Sequence, residues 1–200
     1  MTLKYDIGAL KFIFPRHFID MKFTLVHRSK ILTSLYKDWI HKSDNVLDIG
    51  CGNGIVANEL KNYFNCKMTC TDIMNYLKVS FPFKIMKNEN EIPFKDNTFD
   101  VSLLNDVLHH TNNQKQMIKE ASRVSKNVLI FEVSPSLKVK VADYLINKLH
   151  NPRMKTPFNF RNLYGWEQLF EEVNLNVKCF RIRKASINYP FTTYAFNVYK

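Results

Sequence analysis

Apolar residues at Phe18, Met21, Leu25, Leu32, Leu35 and Trp39 recur at the spacing of one helix face, which predicts a helix over 17–41. Val46–Ile49 is a short apolar run ending at a glycine and reads as a strand. Helical spacing returns over 55–64, and a second strand follows over 67–71, ending at Asp72. A short helix is expected over 74–81, stopped by Pro82. Strands then read over 83–86, 99–104 and 128–133, and helices over 112–124, 137–149 and 164–173. The run at 99–104 is apolar on both faces, as a central parallel strand covered on both sides must be. In the last helix Trp166, Leu169, Phe170 and Val173 share one side. Strands at 177–187 and 193–199 close the chain with only a turn containing Asn188, Tyr189 and Pro190 between them. No helix fits in that gap, so the pair is expected as an antiparallel hairpin. Strands alternating with helices give an α/β fold with a mostly parallel sheet.

Composition narrows this picture only a little. The chain has 200 residues, 46% hydrophobic and 24% charged, enough for one domain with a sizeable core. We divide it into a helical lid over 1–44, a ligand-binding core over 45–134, and substrate-side helices with the terminal hairpin over 135–200. No apolar run approaches a membrane span, and the first residues do not read as a signal peptide. The four cysteines, Cys51, Cys66, Cys70 and Cys179, match neither a zinc ribbon nor a redox pair, so they are expected as core thiols in a reducing cytoplasm. The net charge of +11 leaves two readings open. It either draws an anionic partner such as nucleic acid, or is a solvated surface set by a Lys-, Asn- and Ile-rich composition.

The chemistry begins at "LDIGCGNG", residues 47–54. A glycine-rich turn between a first strand and its helix is where a doubly wound sheet takes an adenosine-bearing ligand, because a bare backbone can approach it closely. Gly50, Gly52 and Gly54 form GxGxG, with Ile55 where the dinucleotide pattern GxGxxG needs its third glycine, and no GK[ST] follows. Asp48 beside the glycines repels a pyrophosphate but suits a cationic amino-acid group. Asp72 ends the second strand about 20 residues after Gly52, where an acid meets ribose hydroxyls.

"VLDIGCGNG", then "TDI", then "IPFKDNTFDVSLLNDVLHH" together resemble the class I S-adenosylmethionine-dependent methyltransferases, in particular the small-molecule enzymes similar to quinone C-methyltransferases. The resemblance covers about 46–133. It implies a Rossmann-like, doubly wound, seven-stranded sheet with helices on both faces and an antiparallel seventh strand. It also implies S-adenosylmethionine as cofactor, S-adenosylhomocysteine as product, and no metal. On that basis Asp48, Gly50, Cys51, Gly52 and Gly54 line the methionine end, Asp72 holds the ribose, and Ile73 lies beside the adenine. Asn88, with Glu89 next to it, stands where relatives often carry Asp toward the adenine amino group, and Asn105 approaches the methionine part. "VSKNV" replaces the family's glycine turn before the fifth strand, for which we expect only a structural effect.

His109 and His110 follow the fourth strand and are the candidates for a general base, His110 before His109; alternatively they only position the chain. Phe158, Phe160, Arg161, Tyr164 and Trp166, in and beside the irregular stretch 150–163, are the candidates to meet a planar or acidic acceptor, with Trp166 alternatively anchoring its own helix in the core and Tyr189 and Phe191 as outer candidates. Other functions stay open. A tRNA-, rRNA- or protein-modifying methyltransferase would suit the charge, but "LLNDVLHH" lacks the [DNS]PP[YFW] motif that resembles exocyclic-amine methylation. A non-catalytic cofactor-binding subunit would bind without turnover. The segment 10–25, with aromatic residues beside Lys11, Arg16 and Lys22, is either a lid or a bilayer-surface contact.

Overall fold

Seven strands build one sheet: β1 (Asn45–Ile49), β2 (Lys67–Asp72), β3 (Phe83–Ile85), β4 (Phe99–Asn105), β5 (Ser125–Val133), β6 (Asn176–Arg183) and β7 (Thr193–Tyr199). Their order is β3-β2-β1-β4-β5-β7-β6. The first five pair in parallel, and β7 is antiparallel to both β5 and β6. The helices are α1 (Met21–Tyr36), α2 (Ile55–Phe64), α3 (Gln114–Val124), α4 (Leu137–His150) and α5 (Leu163–Glu172), with a single 3-10 turn at Leu108–His110. This computed structural model describes residues 21–150, 157–186 and 189–200. Phe18 and the rest of 1–20 lie outside the described residues, as does most of the proposed surface segment 10–25.

The alternation of side chains along the strands divides the core between the two faces of the sheet. On one face Leu129 and Phe131 meet Leu32, Tyr36, Trp39 and Leu60; on the other Ile130 and Phe196 meet Ile118, Trp166 and Phe170. Trp166 is fully buried between the rings of Phe170 and Phe196. Cys51, Cys66 and Cys70 are buried as free thiols, consistent with inert packing. Helix α5 starts where Asn162 caps it, its Oδ1 accepting from Gly165 N–H at 2.8 Å.

Three stretches depart from the sequence pattern. Residues 74–81 form no helix. Asn75 Oδ1 accepts from Leu77 N–H at 3.1 Å, and Lys78 N–H donates to Asn53 O at 3.0 Å. These bonds to a side chain and to the glycine turn replace the helical ladder and hold the segment as a strap. At the "VSKNV" stretch α3 runs straight into β5, which starts at Ser125 and not at 128. Ser125 Oγ donates to Ala121 O at 2.7 Å and so closes the helix without a glycine. Finally, β6 stops at Arg183, and a bridge between Ser186 and Tyr189 makes the turn toward β7.

Candidate functional site

The carboxyl ends of β1, β2 and β4 meet at the glycine turn, since Asp48 is in register with Cys70 on one side and Leu103 on the other. Gly50 N–H donates to Thr71 O at 2.9 Å and Gly54 N–H to Cys51 O at 3.0 Å, which folds the turn back on itself. All three glycines are left-handed, with φ of 70°, 54° and 74° at Gly50, Gly52 and Gly54. Their surroundings differ. A Cβ on Gly50 would fall 2.6 Å from Val107 Cγ2, and one on Gly54 would fall 2.7 Å from Leu77 Cδ2 and 2.8 Å from Val79 Cγ2. Above Gly52 nothing stands within 4 Å. Two of the glycines are therefore demanded by packing, while the middle one opens onto free space.

Two acids flank that space. Asp72 Oδ2 accepts from Gly52 N–H at 2.9 Å and Oδ1 from Ile73 N–H at 2.7 Å. Each oxygen keeps a further lone pair for a ligand hydroxyl. Burial raises the Asp72 pKa, and these backbone N–H groups partly offset it. Asp48 is buried; desolvation, then the Asp72 charge, push its pKa up to about 7, against the pull of Arg28 and of the nearby Asn105 amide. Asn105 Oδ1 accepts from the buried Tyr36 hydroxyl at 2.8 Å, while its Nδ2 has no partner among the described residues. Cys51 is buried in the turn, and its thiol pKa is raised first by a hydrogen bond with Cys70, then by burial. Ile73 beside Asp72 is 46% exposed.

The structure thus brings Asp48, Gly50, Cys51, Gly52, Gly54, Asp72, Ile73 and Asn105 to one edge. Asn88 follows β3 closely, and Met86 N–H ties that stretch to Asp72 O at 2.8 Å. Its own Oδ1, however, accepts from Asn90 N–H at 2.8 Å, and Glu89 Oε2 accepts from Thr111 Oγ1–H at 2.5 Å.

The two histidines have opposite environments. His109 is buried, with Nδ1 at 2.6 Å from Glu132 Oε2 and Nε2 at 3.4 Å from Asp143 Oδ1. Burial lowers its pKa, but the Glu132 charge and the bonds to Asp143 and Glu132 outweigh that and hold it near about 9. In His110 burial, then the neighbouring His109 charge, bring the pKa down to about 4. The ring of Phe160 stacks on His109 at 4.5 Å. Asn159 N–H donates to His109 O at 3.2 Å, and Gln114 Nε2 donates to Leu108 O and Asn159 O, so residues 157–162 are pinned to the end of β4.

The aromatic and basic candidates are dispersed by this arrangement. Phe158 takes a left-handed φ of 57°. Arg161 Nε donates to Gln114 Oε1 at 2.6 Å and, with Phe160 and Asn112, lines an outer pocket of about 480 Å³. Tyr164 is 65% exposed, and its hydroxyl accepts from Gln168 Nε2. Trp166, Tyr189 and Phe191 are buried in the core. Residues not anticipated from the sequence are Arg28 from α1, ion-paired with Asp106 and placed over the Phe131 ring, Tyr36 at the edge, and Glu132 and Asp143 behind the edge against His109. Their signal was a polar residue on an apolar face: Arg28 falls between Leu25 and Leu32, and Glu132 interrupts "VLIFEV".

Residues 47–128 match the family described as "Methyltransferase domain". That match covers less than half of the chain, and it makes the segment similar to methyltransferase domains. Among relatives, an uncharacterized protein of Methanocaldococcus jannaschii is 38% identical over 100 residues, 48% of this chain and 43% of its own. The mitochondrial arginine hydroxylase NDUFAF5 of Mus musculus is 34% identical over 86 residues, 40% of this chain and 25% of its own. The chain spans less than half the length of these curated relatives. The fold extends further than the sequence likeness. A SAM-dependent methyltransferase from Aquifex aeolicus superposes with a TM-score of 0.61 at 17% identity, over 98% of this chain and 100% of that one. The matched segment therefore sits in a sheet whose whole course is shared with that protein. No helix among the described residues is long and apolar enough to cross a membrane.

Proposed function

We propose that the chain transfers the methyl group of S-adenosylmethionine to a small-molecule acceptor. The observation that supports this most is the acid-flanked turn, in which Asp48 and Asp72 border the open space over Gly52. The cofactor, when bound, supplies a methyl already activated on a positively charged sulfur. The rest falls to the chain. Asp72 receives ribose hydroxyls, and Ile73 and Asn88 flank the adenine. Asp48 holds the ammonium of the methionine end, and Arg28 and Asn105 serve its carboxylate. Glu89, bonded to Thr111, steadies the loop behind Asn88.

Alignment of donor and acceptor with water excluded supplies about 7–11 kcal/mol of the barrier reduction. We assign proton removal to neither histidine. Both nitrogens of His109 face carboxylates, and His110, with a pKa near about 4, is a weak base at neutral pH. The acceptor is accordingly a nucleophile that reacts without strong base assistance. Phe160 and Arg161 line the outer pocket that would meet it, with Arg161 braced by Gln114. Similarity to quinone C-methyltransferases rests on the sequence motifs alone.

Titration calorimetry with S-adenosylmethionine and S-adenosylhomocysteine, beside Asp72→Ala, tests the cofactor site. Transfer of a labelled methyl from S-adenosylmethionine into fractionated extract tests the acceptor class. Label in the small-molecule fraction is expected. Label in RNA, with binding that weakens steeply with salt, would move the reading to a nucleic-acid enzyme. Cofactor binding with no label in any fraction would favour a non-catalytic subunit, or a different reaction as in the relative named for arginine hydroxylation.

A further inference from the structure

Behind the cofactor edge, His109, His110 and Asp143 bring one donor atom each to within 4.8 Å of one another. The two imidazoles come from the 3-10 turn after β4 and the carboxylate from α4. His109 Nε2 lies 3.4 Å and His110 Nε2 lies 3.8 Å from the same Asp143 Oδ1. Donor atoms bound to one ion at about 2.0–2.1 Å in tetrahedral geometry stand about 3.3–3.4 Å apart. The two separations from Asp143 Oδ1, 3.4 and 3.8 Å, thus approach those of a coordination face.

The atoms around them are arranged as a metal site's supporting groups usually are. Glu132 Oε2 takes the Nδ1 proton of His109 at 2.6 Å, and its other oxygen accepts from Leu108 N–H at 2.8 Å. A carboxylate on the far nitrogen turns the Nε2 lone pair of a neutral imidazole inward. Asn147 Nδ2 donates to Asp143 Oδ1 at 2.8 Å and fixes the carboxylate. The stacked Phe160 ring holds the His109 plane. Two buried polar atoms remain without partners among the described residues, His110 Nδ1 and Asp143 Oδ2. The atoms that face one another are His109 Nε2, His110 Nε2 and Asp143 Oδ1, and a proton or a cation between them offsets their lone pairs.

Charge points the same way. Asp143, Glu132 and Asp106 gather around the imidazoles, and Arg28, paired with Asp106, is the guanidinium that answers them. Three carboxylates against one guanidinium leave a deficit that a dication cancels and a single proton only halves. Two imidazoles and one carboxylate with further positions open suit a first-row transition ion and not magnesium or calcium, which prefer all-oxygen sites.

We propose that His109, His110 and Asp143 bind one zinc- or iron-class divalent ion, with Glu132 and Asn147 orienting the ligands and at least one coordination position left for water or a small ligand. This departs from the metal-free expectation of the sequence, where nothing connects "HH" with an aspartate far along the chain. It does not rest on the methyl-transfer reading, because none of the three ligands belongs to the acid-flanked glycine turn.

The test is equilibrium dialysis of the chelator-stripped 200-residue chain against zinc, and anaerobically against ferrous iron, with bound metal read by elemental analysis. Cobalt substitution supplies a visible-absorption signature of a low-coordinate nitrogen and oxygen site. One ion per chain is expected. His110→Ala and Asp143→Asn should each abolish stoichiometric binding, and Glu132→Gln should weaken it about 10–100-fold. Titration with S-adenosylhomocysteine on the same variants checks that they are folded, and it succeeds or fails independently of the metal. Sub-stoichiometric metal in the intact chain would leave a proton on His109 as the bridge and overturn the proposal. Binding that survives both His110→Ala and Asp143→Asn, or a cobalt spectrum dominated by thiolate charge transfer, would place the ion on the cysteines and overturn it equally.

Discussion

Protonation of Asp48 should couple cofactor affinity to pH. Its carboxyl is buried at the end of β1, and its pKa stands at about 7 instead of the ordinary 3.8. The groups facing it are Asp72, which raises the pKa, and Arg28 and the Asn105 amide, which lower it; Tyr36 packs alongside. The folded pKa is raised, so the stability this group contributes is fully present below its unfolded value and is lost as pH rises through about 7. A shift of about three pH units makes that loss about 4 kcal/mol in the ligand-free protein. A bound ammonium reverses the preference by holding Asp48 ionised, so binding expels a proton wherever Asp48 is protonated beforehand. Apparent affinity for S-adenosylhomocysteine should then fall about tenfold for each pH unit below about 7 and level off above it. Calorimetry across about pH 5.5–7.5 in buffers of different ionisation enthalpy reads both the affinity and the released proton. Asp48→Asn should bind more weakly at pH 7.5 and lose the slope, while Arg28→Met should move the midpoint upward. A flat profile in the intact protein, or an unchanged slope in Asp48→Asn, would refute the placement of the ammonium at Asp48.

The glycines should separate by assay. Gly54→Ala meets Leu77 and Val79 in a left-handed backbone and should cost about 1–3 kcal/mol in denaturant unfolding, with binding lost as the strap 74–81 shifts. Gly52→Ala carries only the left-handed penalty, about 1–2 kcal/mol, yet its methyl enters the open space, so affinity should fall more than stability. Trp166→Ala empties a fully buried site between Phe170 and Phe196 and should cost about 3–5 kcal/mol by chemical denaturation, with cofactor affinity unchanged in the folded fraction. Tyr36→Phe removes the hydroxyl that donates to Asn105 and should cost about 1 kcal/mol, read from the shift of the unfolding midpoint.

The pattern of apolar residues was enough for the elements wherever burial alone decides structure. Helix α2 and strand β7 carry the predicted bounds, because their apolar spacing ends at glycine, at asparagine or at a turn. It failed over 74–81, where helical spacing is present but the backbone bonds to Asn53 and to the Asn75 side chain. It also misplaced the start of β5, since a serine and not a glycine closes α3. In both places hydrogen bonds to a neighbour outweigh a weak local propensity.

The cofactor edge was readable because its chemistry is local. The strand, the glycines and the two acids lie within 47–73, and a parallel sheet leaves the ends of adjacent strands side by side. What only tertiary structure decided is which distant groups meet. Arg28 reaches Asp106 from α1, Glu132 and Asp143 close on His109 from β5 and α4, and Phe160 stacks where its loop is pinned by Asn159 and Gln114. Periodicity records that a face is buried, not what it is buried against. The sequence by itself therefore determined the sheet and the glycine turn, whereas the ionic cluster around the histidines arose from long-range packing that placed buried charges within reach of one another.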